Sequence, residues 1–96
     1  MSTPTKGLQH IYDEARCEGI GLAVVQELKR ASRLHRPMAS PHEAYAILQE
    51  EAEEFWDEIR TCKHWRTDAE ARDRMRKEAT QIAAMAMRFI LDICKT

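Results

Sequence analysis

The sequence has little of what loop-rich, secreted or membrane proteins require. Only three of its 96 residues are glycine and three are proline, which argues against an all-β or loop-rich fold. Its three cysteines are an odd number without CxxC spacing, so a disulfide framework is not expected. The N-terminal stretch lacks the apolar core of a signal peptide, and no apolar run reaches the roughly 18 residues that span a membrane. These absences predict a cytoplasmic protein with no membrane partner.

A large excess of charge of either sign is also missing. The 15 Lys and Arg residues nearly balance the 16 Asp and Glu residues, for a net charge of −1. Proteins that coat DNA or RNA depend on excess Lys and Arg to neutralise phosphates, so a nucleic acid polymer is not an expected partner. The chain is 44% hydrophobic and 32% charged, which is typical of a folded globular domain. Its length predicts a single domain over residues 1–96, with residues 1–6 flexible.

Apolar residues recur at three- and four-residue steps in three segments, which predicts an all-α fold with three main helices per chain. The first predicted helix runs from about Gly7 to Arg33. Gly19 and Gly21 interrupt it, and each glycine costs about 1 kcal/mol relative to alanine inside a helix. We therefore expect a weak point or a break at this pair.

The next two helices have recognisable starts. Ser40, followed by Pro41 and three positions later by Glu43, has the pattern of a capping box with proline at the first helical position. The helix that begins there is expected to end near Thr61. A second capping box, with Thr67 as the N-cap, predicts the start of the third helix.

The third predicted helix is too apolar for the chain to cover by itself. From Ile82 to Cys94 only Arg88 and Asp92 are not apolar, and a helix that is apolar nearly all round must be surrounded by protein. Two other helices are too few to surround it, so we expect a helical bundle completed by a homodimer or a dimer-of-dimers tetramer. The predicted buried stripes are Ala44, Leu48, Ala52, Phe55 and Ile59 on the second helix, and Met75, Ala79, Ile82, Ala86, Phe89 and Ile93 on the third.

The second predicted helix carries six carboxylates between Glu50 and Glu58. Glu51, Glu54 and Glu58 fall on one stripe at the edge of the apolar face, where unpaired charge is unfavourable. A bound cation would offset that cost, and hard oxygen ligands suit Mg²⁺ or Mn²⁺ rather than zinc. The alternative is a solvated acidic helix face. It accounts well for Glu50 and Glu53 but poorly for Glu51 and Glu54.

Two polar residues on the third predicted helix complete the pattern. Glu78 and Gln81 lie next to its apolar stripe, and a short connection between antiparallel helices would bring them opposite Glu51 and Glu54. Ligand pairs at i and i+3 on facing helices are how helical bundles build internal metal sites.

The sequence Glu50-Glu51-x-x-Glu54, followed after 23 residues by Glu78-x-x-Gln81, resembles the EExxE…ExxD signature of the MazG-like all-α nucleoside triphosphate pyrophosphohydrolases. The resemblance covers roughly residues 44–92. It implies a Mg²⁺-dependent hydrolase, with Mn²⁺ able to substitute, that converts an NTP or dNTP to the monophosphate and pyrophosphate by attack of activated water.

The resemblance also implies roles for individual residues. Glu51, Glu54 and Glu78 would hold the metal, and Glu50 would add a ligand or orient the attacking water. Gln81 stands where the family has its final Asp. The glutamine keeps a carbonyl oxygen that can serve as a ligand, but it lacks the negative charge of the aspartate. The catalytic set is then Glu50, Glu51 and Glu54, and the metal set is Glu51, Glu54, Glu78 and Gln81.

Basic and aromatic residues near the acidic motifs are candidate substrate contacts. Lys77 adjoins Glu78 and Arg74 lies one turn earlier, so both are candidates for the phosphates, as is Lys63. Trp56 is a candidate for stacking on the base. Solvated charges and ordinary packing are the alternatives for these four residues. The alternative for the whole chain is a non-catalytic helical module for dimerisation or partner binding, in which the acids serve only solubility.

Overall fold

The computed structural model describes residues 12–95, and this part of the chain is helical, without β-strands. Helix α1 spans Glu14–Leu34, α2 spans Pro41–Thr61 and α3 spans Ala69–Phe89, with a π-helical turn at Ile90–Cys94. The all-α prediction with three main helices is thus confirmed. The predicted flexibility of residues 1–6 and the predicted helix start at Gly7 lie outside the described residues.

Helix α1 is continuous through Gly19 and Gly21, so the expected break is wrong. Its N-cap is Asp13, whose carboxylate accepts a hydrogen bond from the Arg16 N–H at 3.2 Å. Within residues 12–95, a Cβ atom added at either glycine would have no neighbour within 4 Å apart from its chain neighbours and the adjacent helix backbone, so a side chain has room at both positions. The two glycines therefore cost the helix about 1 kcal/mol each, without interrupting it.

The predicted capping box starts α2. Ser40 Oγ accepts from the Glu43 N–H at 3.1 Å, and Pro41 is the first helical residue, as expected. The Glu43 carboxylate bonds one residue farther back than the pattern predicts, accepting from the Ala39 N–H at 3.0 Å. It also forms an ion pair with Arg36 at 2.7 Å. The start of α2 is thereby tied to the segment that precedes it.

Helix α3 begins one residue later than predicted. Asp68, and not Thr67, is its N-cap and accepts from the Ala71 N–H at 2.8 Å. The Thr67 hydroxyl instead donates to the His64 carbonyl oxygen at 3.3 Å. A carboxylate is the stronger acceptor at the positive end of a helix, which explains why it takes the capping position.

Helix α3 lies between the other two helices and packs against both, whereas α1 and α2 contact each other little. The core is therefore thin. It consists mainly of small side chains, and none of the large side chains among residues 12–95 is fully buried. The buried apolar residues are Val24, Ala31, Met38, Ala44, Ala71, Ala84 and Met85.

The predicted buried stripe of α3 is confirmed only in part. Met75, Ile82 and Phe89 are half-buried, as is Ile93, but Ala79 and Ala86 are exposed. The most buried positions are Ala71, Ala84, Met85 and Arg88. Because α3 packs against a helix on each of two sides, residues on both sides of the predicted stripe are buried. A single apolar stripe in the sequence does not predict this second contact.

The stripe of α2 is likewise confirmed in part. Ala44 is buried, and Leu48 and Phe55 are half-buried. Ala52 is exposed, and 40% of the Ile59 surface is accessible, so these two predicted core positions are wrong. Among the described helices, α3 is the only one that packs closely against α2, so much of the α2 surface stays accessible.

Residues 35–40, called here the connecting segment, join α1 to α2 and are pinned to α3 by two charged side chains. Arg88 is 4% exposed and donates from Nη2 to the Arg36 carbonyl oxygen at 2.8 Å. Asp92 Oδ2 accepts from the Met38 N–H at 2.9 Å and lies 3.9 Å from Arg88 Nε. The two polar exceptions in the apolar end of α3 therefore fix the path of the chain between α1 and α2.

Large apolar side chains remain exposed after the chain has folded. Ile90 and Leu91, at the end of α3, keep 51% and 56% of their surface accessible. The radius of gyration is 16.0 Å, whereas about 13 Å is typical of a compact chain of 100 residues. No helix of the described chain is both long enough and apolar enough to cross a membrane.

Candidate metal centre

Helices α2 and α3 run antiparallel, and this places their acidic motifs opposite each other. Residues 62–68 connect the two helices. Near the connection Glu58 meets Arg74, and farther away Glu51 meets Gln81, so the contacts step in opposite directions along the two helices. The expected juxtaposition of the two motifs is therefore present.

Glu51 and Glu54 on α2 converge with Glu78 on α3. One carboxylate oxygen from each of the three residues lies within 4.8 Å of the other two. Glu51 and Glu78 are half-buried, and Glu54 is exposed. This carboxylate cluster (Glu51, Glu54 and Glu78) supplies three hard oxygen donors on one side, which suits a Mg²⁺ ion that keeps several waters.

The carboxylates of the cluster disfavour one another's ionisation. Burial raises the pKa of Glu51 above its usual value, and the charges of Glu54 and Glu78 raise it further. The pKa of Glu78 is also raised by burial first and then by the charges of Glu54 and Glu58. A divalent cation placed among these oxygens would reverse both effects, because it favours the ionised form.

Gln81 bridges the two helices at the cluster. Its amide nitrogen, when turned towards the carboxylates, donates to Glu51 Oε2 at 3.1 Å and to Glu78 Oε2 at 3.3 Å. The hydrogen-bond network assigns this orientation, since the amide oxygen has no donor to face there. Rotation of the amide by a half turn would direct its carbonyl oxygen to the same place, as a ligand for a cation.

Two neighbouring acids differ in how they relate to the cluster. Glu50 is exposed, and its charge is among those that raise the pKa of Glu51, although it is not one of the three convergent carboxylates. Glu58 is held by Arg74, whose Nε lies 2.9 Å from Glu58 Oε2. Glu50 thus remains available near the cluster, while the charge of Glu58 is already compensated.

A cavity of about 470 Å³ opens between the three helices beside the cluster. Glu50, Glu51 and Gln81 form the wall on the cluster side. Two further groups of residues contribute to the lining of this large cavity. They are an apolar wall, formed by Ala31, Leu34, Ile47 and Met85, and a set of guanidinium groups, from Arg30, Arg36 and Arg88.

The predicted phosphate contacts lie apart from the large cavity. Arg74 is engaged by Glu58 at 2.9 Å, and Lys63 is exposed in the connection between α2 and α3. Lys77 lies 3.8 Å from Asp73 and lines a smaller pocket on the α1 side of α3. None of the three lines the large cavity.

The predicted aromatic contact is also elsewhere. Trp56 keeps 58% of its surface accessible and does not line the large cavity. The other tryptophan, Trp65, has Arg66 stacked over its ring at 4.7 Å. The apolar part of the lining of the large cavity is formed by aliphatic side chains and Met85.

Sequence reasoning missed the residues that α1 contributes to this region. Glu27 and Arg30 line the large cavity and are joined by a hydrogen bond of 2.9 Å from Arg30 Nε. This pair lowers the pKa of Glu27, while the charge of Glu27 raises that of Glu51. The i, i+3 spacing of Glu27 and Arg30 was the only signal in the sequence, and it does not show that α1 packs beside the acidic motifs.

No family model matches the chain, and neither a curated protein nor a solved structure matches it. The functional interpretation therefore depends on the short acidic motifs and on the geometry around them.

Proposed function

We propose that the protein is a Mg²⁺-dependent nucleoside triphosphate pyrophosphohydrolase of the MazG-like type. The observation that supports it is the convergence of Glu51, Glu54 and Glu78 from two helices, with oxygens within 4.8 Å of one another, beside a cavity of about 470 Å³. A solvated acidic face accounts for neither the partial burial of two of these acids nor the adjoining cavity. The cavity also falls within the roughly 300–1,000 Å³ of small-molecule sites.

In this proposal the cluster holds the metal, and nearby side chains orient the reactants. A bound divalent ion would neutralise the triphosphate and lower the pKa of water, which is the chemistry that such ions supply. Glu50 lies on the cavity wall, where its carboxylate can accept a proton from the attacking water. Water adds to the α-phosphorus, the α–β bridge bond breaks, and the products are the nucleoside monophosphate and pyrophosphate.

The large cavity is the proposed site of the nucleoside. Its aliphatic wall offers a surface for the faces of a base, and in this proposal the phosphates would begin near Glu51 and Gln81, which also line the cavity. The alternative placement, on Trp56, would require a base to lie on an exposed ring away from this cavity. The cavity residues are therefore preferred to the aromatic contact expected from the sequence.

We also propose that a second copy of the chain covers the exposed end of α3. Ile90 and Leu91 are more than half accessible, and the core of the single chain contains no fully buried large side chain among residues 12–95. A homodimer, or a dimer of dimers, would bury Ile90 and Leu91 and would add large side chains to the core. Light scattering should give a mass of at least two chains, and a stable folded monomer at micromolar concentration would contradict the proposal.

The activity is tested by incubating the protein with Mg²⁺ and a panel of NTPs and dNTPs. Chromatography should show monophosphate and pyrophosphate in equal amounts, and reaction in H₂¹⁸O should place the label in the monophosphate. Glu54→Gln should lose at least about 100-fold in rate, because it removes a metal ligand. The matched control is Glu53→Gln, which removes an exposed acid of the same helix outside the cluster. Absence of product from every nucleotide, or equal loss in both variants, would refute the enzymatic proposal.

A second candidate function is a non-catalytic helical module for dimerisation or partner binding. The exposed apolar residues at the end of α3 favour it. It predicts an oligomer that neither hydrolyses nucleotides nor gains thermal stability from Mg²⁺. Thermal unfolding with and without Mg²⁺ separates the two candidates even before a substrate is known.

A further inference from the structure

A second, smaller pocket shares Gln81 with the lining of the large cavity. It has a volume of about 310 Å³ and lies between α1 and α3. Its lining, called here the basic pocket, consists of Glu27, Arg30, Arg76, Lys77, Thr80 and Gln81.

The basic pocket adjoins the carboxylate cluster through residues that it shares with the large cavity. Glu27, Arg30 and Gln81 line both spaces. Gln81 is also the residue whose amide lies 3.1 Å from Glu51 and 3.3 Å from Glu78. A ligand held at the cluster can therefore extend into either space past the same side chain.

The two spaces differ in charge. The lining of the large cavity carries four carboxylates against three guanidinium groups. The lining of the basic pocket carries three cations and a single carboxylate, that of Glu27, which is already paired with Arg30. Two positive charges in the basic pocket are therefore left without a partner of their own in its lining, and polyanions are attracted to such a place.

The other two cations of the basic pocket, Arg76 and Lys77, are available to a ligand. Within the described chain, Arg76 forms no side-chain hydrogen bond or ion pair. Lys77 has only a long contact of 3.8 Å to Asp73, between side chains that are 73% and 62% exposed. An exposed pair of this kind contributes little and is easily exchanged for a phosphate.

We propose that the basic pocket binds the pyrophosphate portion of the substrate and retains it as the leaving product, with Arg76 and Lys77 as the contacting cations. This inference rests on the proposed function, because it places the nucleoside in the large cavity and the α-phosphate at the cluster. The triphosphate then extends from the less favourable, acidic lining into the basic one. Lys77 is a phosphate ligand that the sequence predicted, whereas Arg76 is assigned only by the pocket.

The test measures product inhibition by pyrophosphate and by nucleoside monophosphate separately. Arg76→Gln should weaken inhibition by pyrophosphate about tenfold, the loss expected from one charge-assisted contact, and Lys77→Gln should act in the same direction. Inhibition by the monophosphate should stay within about twofold of the wild type, because that product lies in the other cavity. Arg33→Gln is the matched control, since it removes an exposed arginine of α1 that lines neither space.

Direct calorimetric titration with pyrophosphate separates this inference from the proposed function. If the wild type hydrolyses nucleotides but Arg76→Gln binds pyrophosphate as tightly as Arg33→Gln, the pocket assignment is overturned and the enzymatic proposal stands. If Arg76→Gln weakens the binding of the monophosphate and of pyrophosphate to the same extent, the assignment of separate sites to the two products is overturned. Tight pyrophosphate binding that depends on Arg76, in a protein that hydrolyses nothing, would support the pocket and overturn the activity.

Discussion

The amide of Gln81 lies 3.1 Å from Glu51 Oε2 and thereby joins α3 to α2 at the carboxylate cluster. A neutral side chain occupies the place where an acid would add a fourth negative charge. In the metal-free protein this amide donates to two carboxylates that repel each other, so it stabilises the cluster without a cation. Compared with a carboxylate, this residue is therefore expected to favour stability without a cation over affinity for the proposed metal.

Gln81→Asp should reverse that balance. The added carboxylate is expected to tighten Mg²⁺ binding about tenfold, while it lowers the stability of the metal-free protein by about 1 kcal/mol through repulsion. Isothermal titration with Mg²⁺ and urea unfolding in EDTA measure the two effects. Gln26→Asp, an exposed change of the same type on α1, is the control for helix propensity and net charge. Weaker Mg²⁺ binding in Gln81→Asp would contradict a role for this position near the ion.

Arg88 should be essential to stability, because it is buried and holds the connecting segment against α3. Arg88→Met leaves Asp92 as a partly buried charge without its cation and removes the donor to the Arg36 carbonyl oxygen. We expect a loss of about 3 kcal/mol in the free energy of unfolding, measured with urea. Asp92→Asn keeps an acceptor for the Met38 N–H and should cost less, about 1 kcal/mol. Equal losses in the two variants would contradict this account of the connecting segment.

The local signals in the sequence predicted more than the tertiary ones. Ser40 and Pro41 act within one turn, so the start of α2 was predictable. The carboxylates of the cluster were predictable because i, i+3 spacing puts them on one face and a short connection forces α2 and α3 together. The burial of Arg88 was not predictable, because a charged residue is almost never buried unless it is paired, and the carbonyl oxygen of Arg36 that accepts its hydrogen bond is 52 residues away in the sequence. The same holds for Arg30, whose place beside the cluster depends on how α1 packs.

The stability conferred by Glu43 should depend on pH. Hydrogen bonds from Arg36 and from the Ala39 N–H lower the pKa of Glu43 below its ordinary value of 4.5. A carboxyl whose pKa is lower in the folded state stabilises the fold above the ordinary value, and this contribution is lost as the pH falls through the lower folded pKa. The urea midpoint of Glu43→Gln should thus be below that of the wild type at neutral pH and approach it in acid. Glu53→Gln is the control for net charge, and a gap that stays constant into strong acid would contradict the ionised contact.

Gly19→Ala and Gly21→Ala should each stabilise the chain by about 0.5–1 kcal/mol, because alanine loses less backbone entropy in a helix. Within residues 12–95, neither new Cβ atom meets an atom within 4 Å apart from its chain neighbours and the adjacent helix backbone, so no steric cost from these residues offsets the gain. Urea unfolding at low protein concentration measures the effect on the single chain. Ile20 and Leu22 on the same stretch are exposed, so this surface is also a place where a second copy can approach closely. If the variants are less stable than the wild type only at concentrations where the chain associates, the glycines serve close packing between copies. If they are less stable at every concentration, the result contradicts the finding that a side chain has room at both positions.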